Sequence, residues 1–287
     1  LVPRGHTRQA NPIRAARTRP DKPGRDPEAT ITIRTALIGG GAAGIGYAIA
    51  ARLAPTHRVV ITGRRAGPLE TAATRLREKA GADVGALVSD ISAPDAAAAV
   101  MTMMDEQYDS PDVLVLNAGG PPPGRILDVS DDAWQAGAEL LLLGPLRLAR
   151  LALPAMASRG FGRLIFVTST TVRQPQPDLA VSVVLRAAVT AAAKLLSRDY
   201  AADGVTVNCV APGATDTQRR QEVLAHHAAR VGLPLAELNA RDTAAVPAGR
   251  PGTPDEIAAA VGFLASDDAS YVNGTVLTVD GGRTETF

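Results

Sequence analysis

The densest concentration of chemistry-bearing residues in this chain is a glycine run. Residues 35–50 read Thr-Ala-Leu-Ile-Gly-Gly-Gly-Ala-Ala-Gly-Ile-Gly-Tyr-Ala-Ile-Ala. An apolar stretch runs into glycines and then into a helix-forming stretch. Gly40, Gly44 and Gly46 permit a tight turn, close backbone approach to a pyrophosphate and close helix–strand packing. Ala42, Ala43 and Ile45 complete the loop, and the free N–H groups of the helix start suit phosphate. The run sits at the first strand–helix crossing of a long alternating chain, the context in which such a pattern marks a dinucleotide site. A second position selects the dinucleotide. The next apolar run ends Val59-Val60-Ile61-Thr62-Gly63-Arg64-Arg65. Proteins that bind NAD place an acid near here to accept from the ribose 2′-hydroxyl. This chain has Gly63 there, followed by two arginines. Arg64, with Arg65 beside it, suits a 2′-phosphate through charge-assisted hydrogen bonds, so NADP(H) is the expected cofactor. Asp90, with Ile91 after it, is expected at the edge of the adenine ring.

These residues need a scaffold. Short apolar runs at Thr35–Ile38, Arg58–Thr62, Val84–Val88, Val113–Leu116, Arg163–Thr168, Val205–Val210 and Thr275–Val279 read as strands covered on both faces. Helical stretches lie between them, near 45–54, 67–80, 95–108, 131–158, 180–202 and 254–265. The alternation predicts an α/β, Rossmann-type doubly wound parallel sheet of about seven strands, in a single domain over 32–287. The stretch 216–247 is polar and helical in character and reads as a lid over the site. Residues 1–6 look like an expression-vector scar, and 7–31, rich in Arg and Pro, read as a disordered basic tail. A formal net charge of +1 does not suggest nucleic acid as a partner. No apolar run reaches the length of a membrane span. Cys209 is the lone cysteine, which excludes a disulfide framework and a Cys-based metal site and suits a reducing, cytoplasmic setting. Arginine almost wholly replaces lysine, and alanine is abundant, a composition associated with high-GC bacterial genomes.

Five segments, in order, carry a family resemblance. They are Gly40–Gly46, with Gly39 where a Thr is usual; Leu116-Asn117-Ala118-Gly119, with its first Asn replaced; Asn208 with Pro212-Gly213, Thr215 and Thr217; Gly249–Ile257; and Val279–Gly282. Together they resemble the short-chain dehydrogenase/reductase family, in the branch of the 3-oxoacyl-carrier-protein reductases, over about residues 32–283. The resemblance implies that Asn117, Ala118 and Gly119 border the cofactor. It also implies that Pro212, Gly213, Thr215 and Thr217 hold the nicotinamide carboxamide. The long helices near 131–158 and 180–202 would pair subunits into a homo-oligomer, a tetramer, with Ala187, Ala188, Ala191, Ala192 and Ala193 allowing close approach.

The family's Asn-Ser-Tyr-Lys tetrad does not carry over. Its Ser falls on Ser169. The Tyr position, thirteen residues on, is Ser182, and the Lys position, four further, is Arg186. The Asn position is Leu141. Ser182 is far too weak an acid to replace a phenol. Arg186 can hold ribose hydroxyls but does not relay a proton as Lys does. Loss of a positioned acid costs about 10²–10⁴-fold in rate. The resemblance therefore implies an NADPH-dependent reductase of a small molecule whose acceptor makes little demand on an acid: a C=N or hemiaminal carbon, or an activated C=O. Asp178 is a candidate partner for a cationic acceptor, and His226 and His227 on the lid are candidate proton donors. Non-redox dehydratase- or cyclase-like chemistry, a non-catalytic NADP(H)-binding role and an ordinary 3-oxoacyl ketoreductase are the alternatives.

Overall fold

The computed structural model describes residues 33–286. The expected scar and basic tail lie outside them. The strands are β1 (Arg34–Ile38), β2 (His57–Gly63), β3 (Val84–Val88), β4 (Val113–Leu116), β5 (Gly162–Val167), β6 (Val205–Pro212) and β7 (Val276–Val279). All pair in parallel, in the order β3-β2-β1-β4-β5-β6-β7. The helices are α1 (Gly44–Leu53), α2 (Ala66–Ala80), α3 (Ala96–Gln107), α4 (Asp131–Ala138), α5 (Gly144–Arg159), α6 (Ala180–Asp199), α7 (Gln218–Val231), α8 (Leu235–Ala244) and α9 (Pro254–Ala265).

Side-chain alternation along each strand builds two apolar layers. Ala36, Ile38, Val59 and Ile61 point to the face covered by α1, α2 and α9, where Ile49, Leu69, Leu76, Ile257 and Val261 are buried. Leu37, Val60, Leu114 and Phe166 point to the other face, against Val100 and Met104 of α3, Leu148, Leu153 and Met156 of α5, and Val189 of α6. The strands therefore read as continuous apolar runs, as a doubly covered parallel sheet requires.

The expected long helix over 131–158 is interrupted. Between α4 and α5 the chain makes a π-helical turn, Glu139–Leu143, a feature that clusters at functional sites. Two helical stretches, Asp131–Arg159 and Ala180–Asp199, are long and apolar enough to cross a membrane by length and composition. This corrects the sequence expectation: both stretches are apolar on average although charged residues such as Arg147 and Arg186 divide them. Both pack on the sheet, which explains much of their apolar content. The segment expected as a lid forms α7 and α8. Arg220 bolts them together, its Nε 2.9 Å from Asp242 Oδ2 and its Nη1 2.8 Å from Asn239 Oδ1.

Candidate active site

The sheet order reverses between β1 and β4, and the crevice outside the carboxyl ends of strands at such a switch point is where open α/β sheets bind ligands. The glycine loop is pinned to that point. Gly39 N–H donates to the Val115 carbonyl at 2.9 Å, and Asn117 Nδ2 donates to the Gly39 carbonyl at 3.1 Å. Gly40 has φ 62° and Gly44 φ 54°, the left-handed region that favours glycine. A Cβ at Gly46 would lie 2.1 Å from the Gly40 carbonyl oxygen, so α1 can approach the turn this closely only with glycine. Helix α1 starts after Ala43 with no side-chain cap and no acid in its first turn. Its opening N–H groups are left for an anion.

The 2′-phosphate end fits in the same way. Arg64 and Arg65 are exposed, and neither makes an ion pair among the described residues. Arg65 is also the N-terminal flank of α2, which again lacks a side-chain cap and a first-turn acid. Two free guanidiniums at a bare helix start suit a phosphate better than a ribose hydroxyl. Asp90 is exposed just after β3. Ser92 donates to its Oδ1 through N–H (3.1 Å) and hydroxyl (2.7 Å), leaving Oδ2 for an amine such as that of adenine. Ile91 packs half-buried on the α3–α5 layer, with its carbonyl against Gly144.

The segment after β6 is bolted to β7. Gly213 N–H donates to the Val279 carbonyl at 2.9 Å. Thr215 Oγ1 donates to the Gly213 carbonyl at 3.2 Å, and Thr217 Oγ1 to the Thr215 carbonyl at 3.3 Å while it caps α7 by accepting from Arg220 N–H. The Thr217 methyl sits 3.5 Å from where a Gly44 Cβ would stand, so this segment faces the glycine loop. Asn208 does not belong with it. It is buried inside β6, where Nδ2 donates to the Val272 carbonyl and Oδ1 accepts from Thr275 N–H, fixing the approach to β7.

Ser182 and Arg186 meet. Arg186 Nε donates to Ser182 Oγ at 3.2 Å, Nη1 to the Val167 carbonyl at 2.7 Å, and Nη2 to the Ala118 carbonyl at 3.5 Å. One turn of α6 places the two residues on one face, and the guanidinium fork ties that face to the ends of β4 and β5. Ser169 lies two residues beyond Val167. Thr171 donates to its Oγ through both N–H (3.2 Å) and hydroxyl (3.0 Å). Both serine oxygens thus accept, and neither serine proton has a partner among the described residues. Burial, and the nearby Arg219 cation, push the Arg186 pKa down to about 10. Leu141, at the Asn position, lies in the π-helical turn and packs with Val181 and Leu185, with Ala118, Val129 and Trp134 around them. That side of the crevice is apolar.

Arg219, in the first turn of α7, was passed over in the sequence. It donates to the Pro121 carbonyl, and its guanidinium covers Gly120 so closely that a Cβ there would meet Nε at 2.6 Å. The available signal was a basic residue where the helix dipole disfavours one. The other lid candidates separate. His226 is exposed, whereas His227 Nε2 lies 3.8 Å from Asp178 Oδ2, and Arg230 Nη2 lies 2.7 Å from the same oxygen. Asp178 thus ties the loop before α6 to α7 and already has a cation of its own.

The sequence and the fold match known proteins over nearly the whole domain. A family model described as enoyl-(acyl carrier protein) reductase matches residues 40–284. The chain is a short-chain dehydrogenase/reductase. Within the family it is 35 % identical to cis-4-hydroxycyclohexanecarboxylate dehydrogenase of Sinomonas cyclohexanicum, covering 88 % of this chain and 96 % of that one. It is 32 % identical to the 3-oxoacyl-[acyl-carrier-protein] reductase MabA of Mycobacterium bovis, covering 87 % and 92 %. A single-substitution variant of the actinorhodin polyketide ketoreductase, solved with NADPH, superimposes with a TM-score of 0.86 at 32 % identity, covering 90 % of this chain and all of that one. The family places the chain among oxidoreductases, and these relatives among the 3-oxoacyl reductase-like members.

Proposed function

We propose that this protein is an NADPH-dependent reductase of a small molecule, with Ser169, Ser182 and Arg186 acting where the family uses its tetrad. The observation that carries the reading is Arg186, which donates to Ser182 at 3.2 Å and to the Val167 carbonyl at 2.7 Å, two residues before Ser169, the other serine whose proton is uncommitted. Support for the cofactor comes from Arg64 and Arg65, from the uncapped starts of α1 and α2, and from relatives whose structures hold NADPH or NADP.

Bound NADPH supplies a hydride. As hydride adds to a carbonyl carbon, the π pair moves onto oxygen and negative charge grows there. Two hydroxyl donors can meet that charge, and the guanidinium behind Ser182 makes its O–H more polar. The proton that completes the alcohol passes through Ser182 from solvent. Arg186 also offers N–H groups to the nicotinamide ribose. Two cations at one site oppose a preformed iminium, so a neutral acceptor whose oxygen gains charge, an activated C=O or a hemiaminal losing water, suits the residues best. A neutral imine remains compatible. One matched relative acts, by its name, on an alcohol that carries a carboxylate. The protein is read as cytoplasmic and self-associating.

The test follows NADPH absorbance with matched panels of activated ketones, simple ketones, hemiaminals and cyclic imines. Activated ketones should be reduced faster than simple ones, and Ser182→Ala should lower kcat about 10²-fold, the usual loss of one oxyanion donor. Tight NADPH binding with no oxidation by any acceptor would favour non-redox or purely binding roles.

A further inference from the structure

We propose that the substrate carries a carboxylate, held between Arg219 and Arg186, close to the reacting carbon. The proposal rests on the reading of this crevice as the substrate site. Arg186 is a half-buried cation with no carboxylate partner among the described residues. Its three contacts are to a hydroxyl and two carbonyls, and the charge it feels most is Arg219, another cation. Arg219 is desolvated as well. Its nearest acid is Glu222, 3.8 Å away on its own helix.

Three acids of the flanking elements are engaged elsewhere. Asp178 holds Arg230, Glu139 holds Arg147 at 2.6 Å, and Asp242 holds Arg220 and Arg283. Arg186, which has no carboxylate partner among the described residues, and the half-buried Arg219 both donate to carbonyls of the short 118–121 loop, and like charges gathered there raise each other's cost. A bound anion removes that cost, and the planar fork of Arg matches a carboxylate. Position separates this anion from the cofactor phosphates. Those phosphates have the uncapped starts of α1 and α2 and the pair Arg64–Arg65. Arg219 instead covers Gly120 and holds Pro121, on the same 118–121 loop whose Ala118 carbonyl receives Arg186. The Leu141–Val181–Leu185 cluster, with Trp134 and Val129 beside it, gives an apolar body a surface next to this pair. The chemistry points to a small oxo acid with an apolar chain.

The experiment uses hexanoate and hexanamide as probes, titrated by calorimetry into the wild-type protein saturated with NADP⁺. Hexanoate should bind at least tenfold more tightly than the amide. Arg219→Met should weaken hexanoate tenfold or more with NADP⁺ affinity changed less than threefold, and Arg219→Lys should recover part of the preference. Equal binding of the two probes by the wild-type protein would overturn the proposal. So would an Arg219→Met protein that loses NADP⁺ affinity and keeps the hexanoate preference, since the anion would then be the cofactor's own. In parallel, 2-oxohexanoate and its methyl ester are offered with NADPH. Hexanoate binding without any NADPH oxidation would leave the anion site standing and sink the reductase reading.

Discussion

At the scale of single residues, the proposed site sets a guanidinium directly against a serine, Arg186 on Ser182. The family pattern places a phenol at the substrate with a lysine behind it. Here a short serine reaches less far, and a longer, forked side chain supports it while bridging two strand ends. Arg186 must carry its charge to polarise Ser182. Its folded pKa, about 10, lies below the ordinary value because burial and Arg219 disfavour the cation. The cation is fully present well below pH 10 and is lost as pH rises through it. For folding the sign is opposite: the buried charge costs stability at low pH, and that cost is relieved as pH climbs from the folded toward the unfolded pKa. The kcat/KM profile should therefore show an alkaline limb near pH 10. Arg186→Lys should move this limb toward neutrality, because a lysine in the same surroundings starts from about 10.4 and is pushed down from there. At the far end of the cofactor, Arg64→Ala should weaken NADPH about 10–100-fold, the loss of a charge-assisted hydrogen bond worth about 1.5–3 kcal/mol. NADH affinity should change little, and calorimetry with both cofactors reads the difference.

At the scale of elements, the helix starts differ in a way that suits a bound dinucleotide. Helices α1 and α2 open without caps where phosphates are expected, whereas α9 opens with a full capping box between Thr253 and Glu256. Bare starts cost helix stability unless a ligand completes them. The approach of α1 depends on Gly46. Gly46→Ala would drive a methyl into the Gly40 carbonyl and the Asn117 amide, contacts that backbone must yield to. The expected outcome is a loss of about 1–3 kcal/mol by denaturant unfolding, together with loss of NADPH binding, because helix and glycine turn are pushed apart. The α7–α8 segment is tied down by arginines, with Arg220 joining α7 to α8 and Arg230 joining α7 to Asp178 before α6.

At the scale of the molecule, the sheet is covered on both faces, yet apolar surface remains on the outward sides of two helices. Leu151 of α5 and Val184 and Leu195 of α6 are exposed, and Leu195 keeps 66 % of its accessible surface. Ala187 and Ala191 lie exposed on α6, whereas Ala193 is buried against the sheet. The alanine run thus divides between packing inward and facing out, and the outward half is the surface on which a second copy is expected. Light scattering should give a mass above that of one chain. Ala191→Arg, which sets a charge where helices would meet, should shift the population toward monomer.

The scaffold and the class of cofactor were legible in the order of residues alone. Short apolar runs separated by helical stretches leave one economical arrangement, a doubly covered parallel sheet with right-handed crossovers, while the strand order came from the structure. The glycines and Arg64 act through backbone shape and local charge, which neighbours in sequence decide. What sits at the substrate end was settled by tertiary contacts. That Ser182 is backed by Arg186 could be guessed from a four-residue spacing. That the guanidinium would also hold the ends of β4 and β5, with Arg219 as its electrostatic neighbour, depends on segments up to 68 residues apart meeting at one edge of the sheet. Asp178 read as a partner for a cationic acceptor until folding gave it Arg230. The interruption at Glu139–Leu143 escaped for a related reason: a π-helical turn keeps the apolar spacing of a helix almost unchanged, and only the surrounding packing fixes where the extra residue goes.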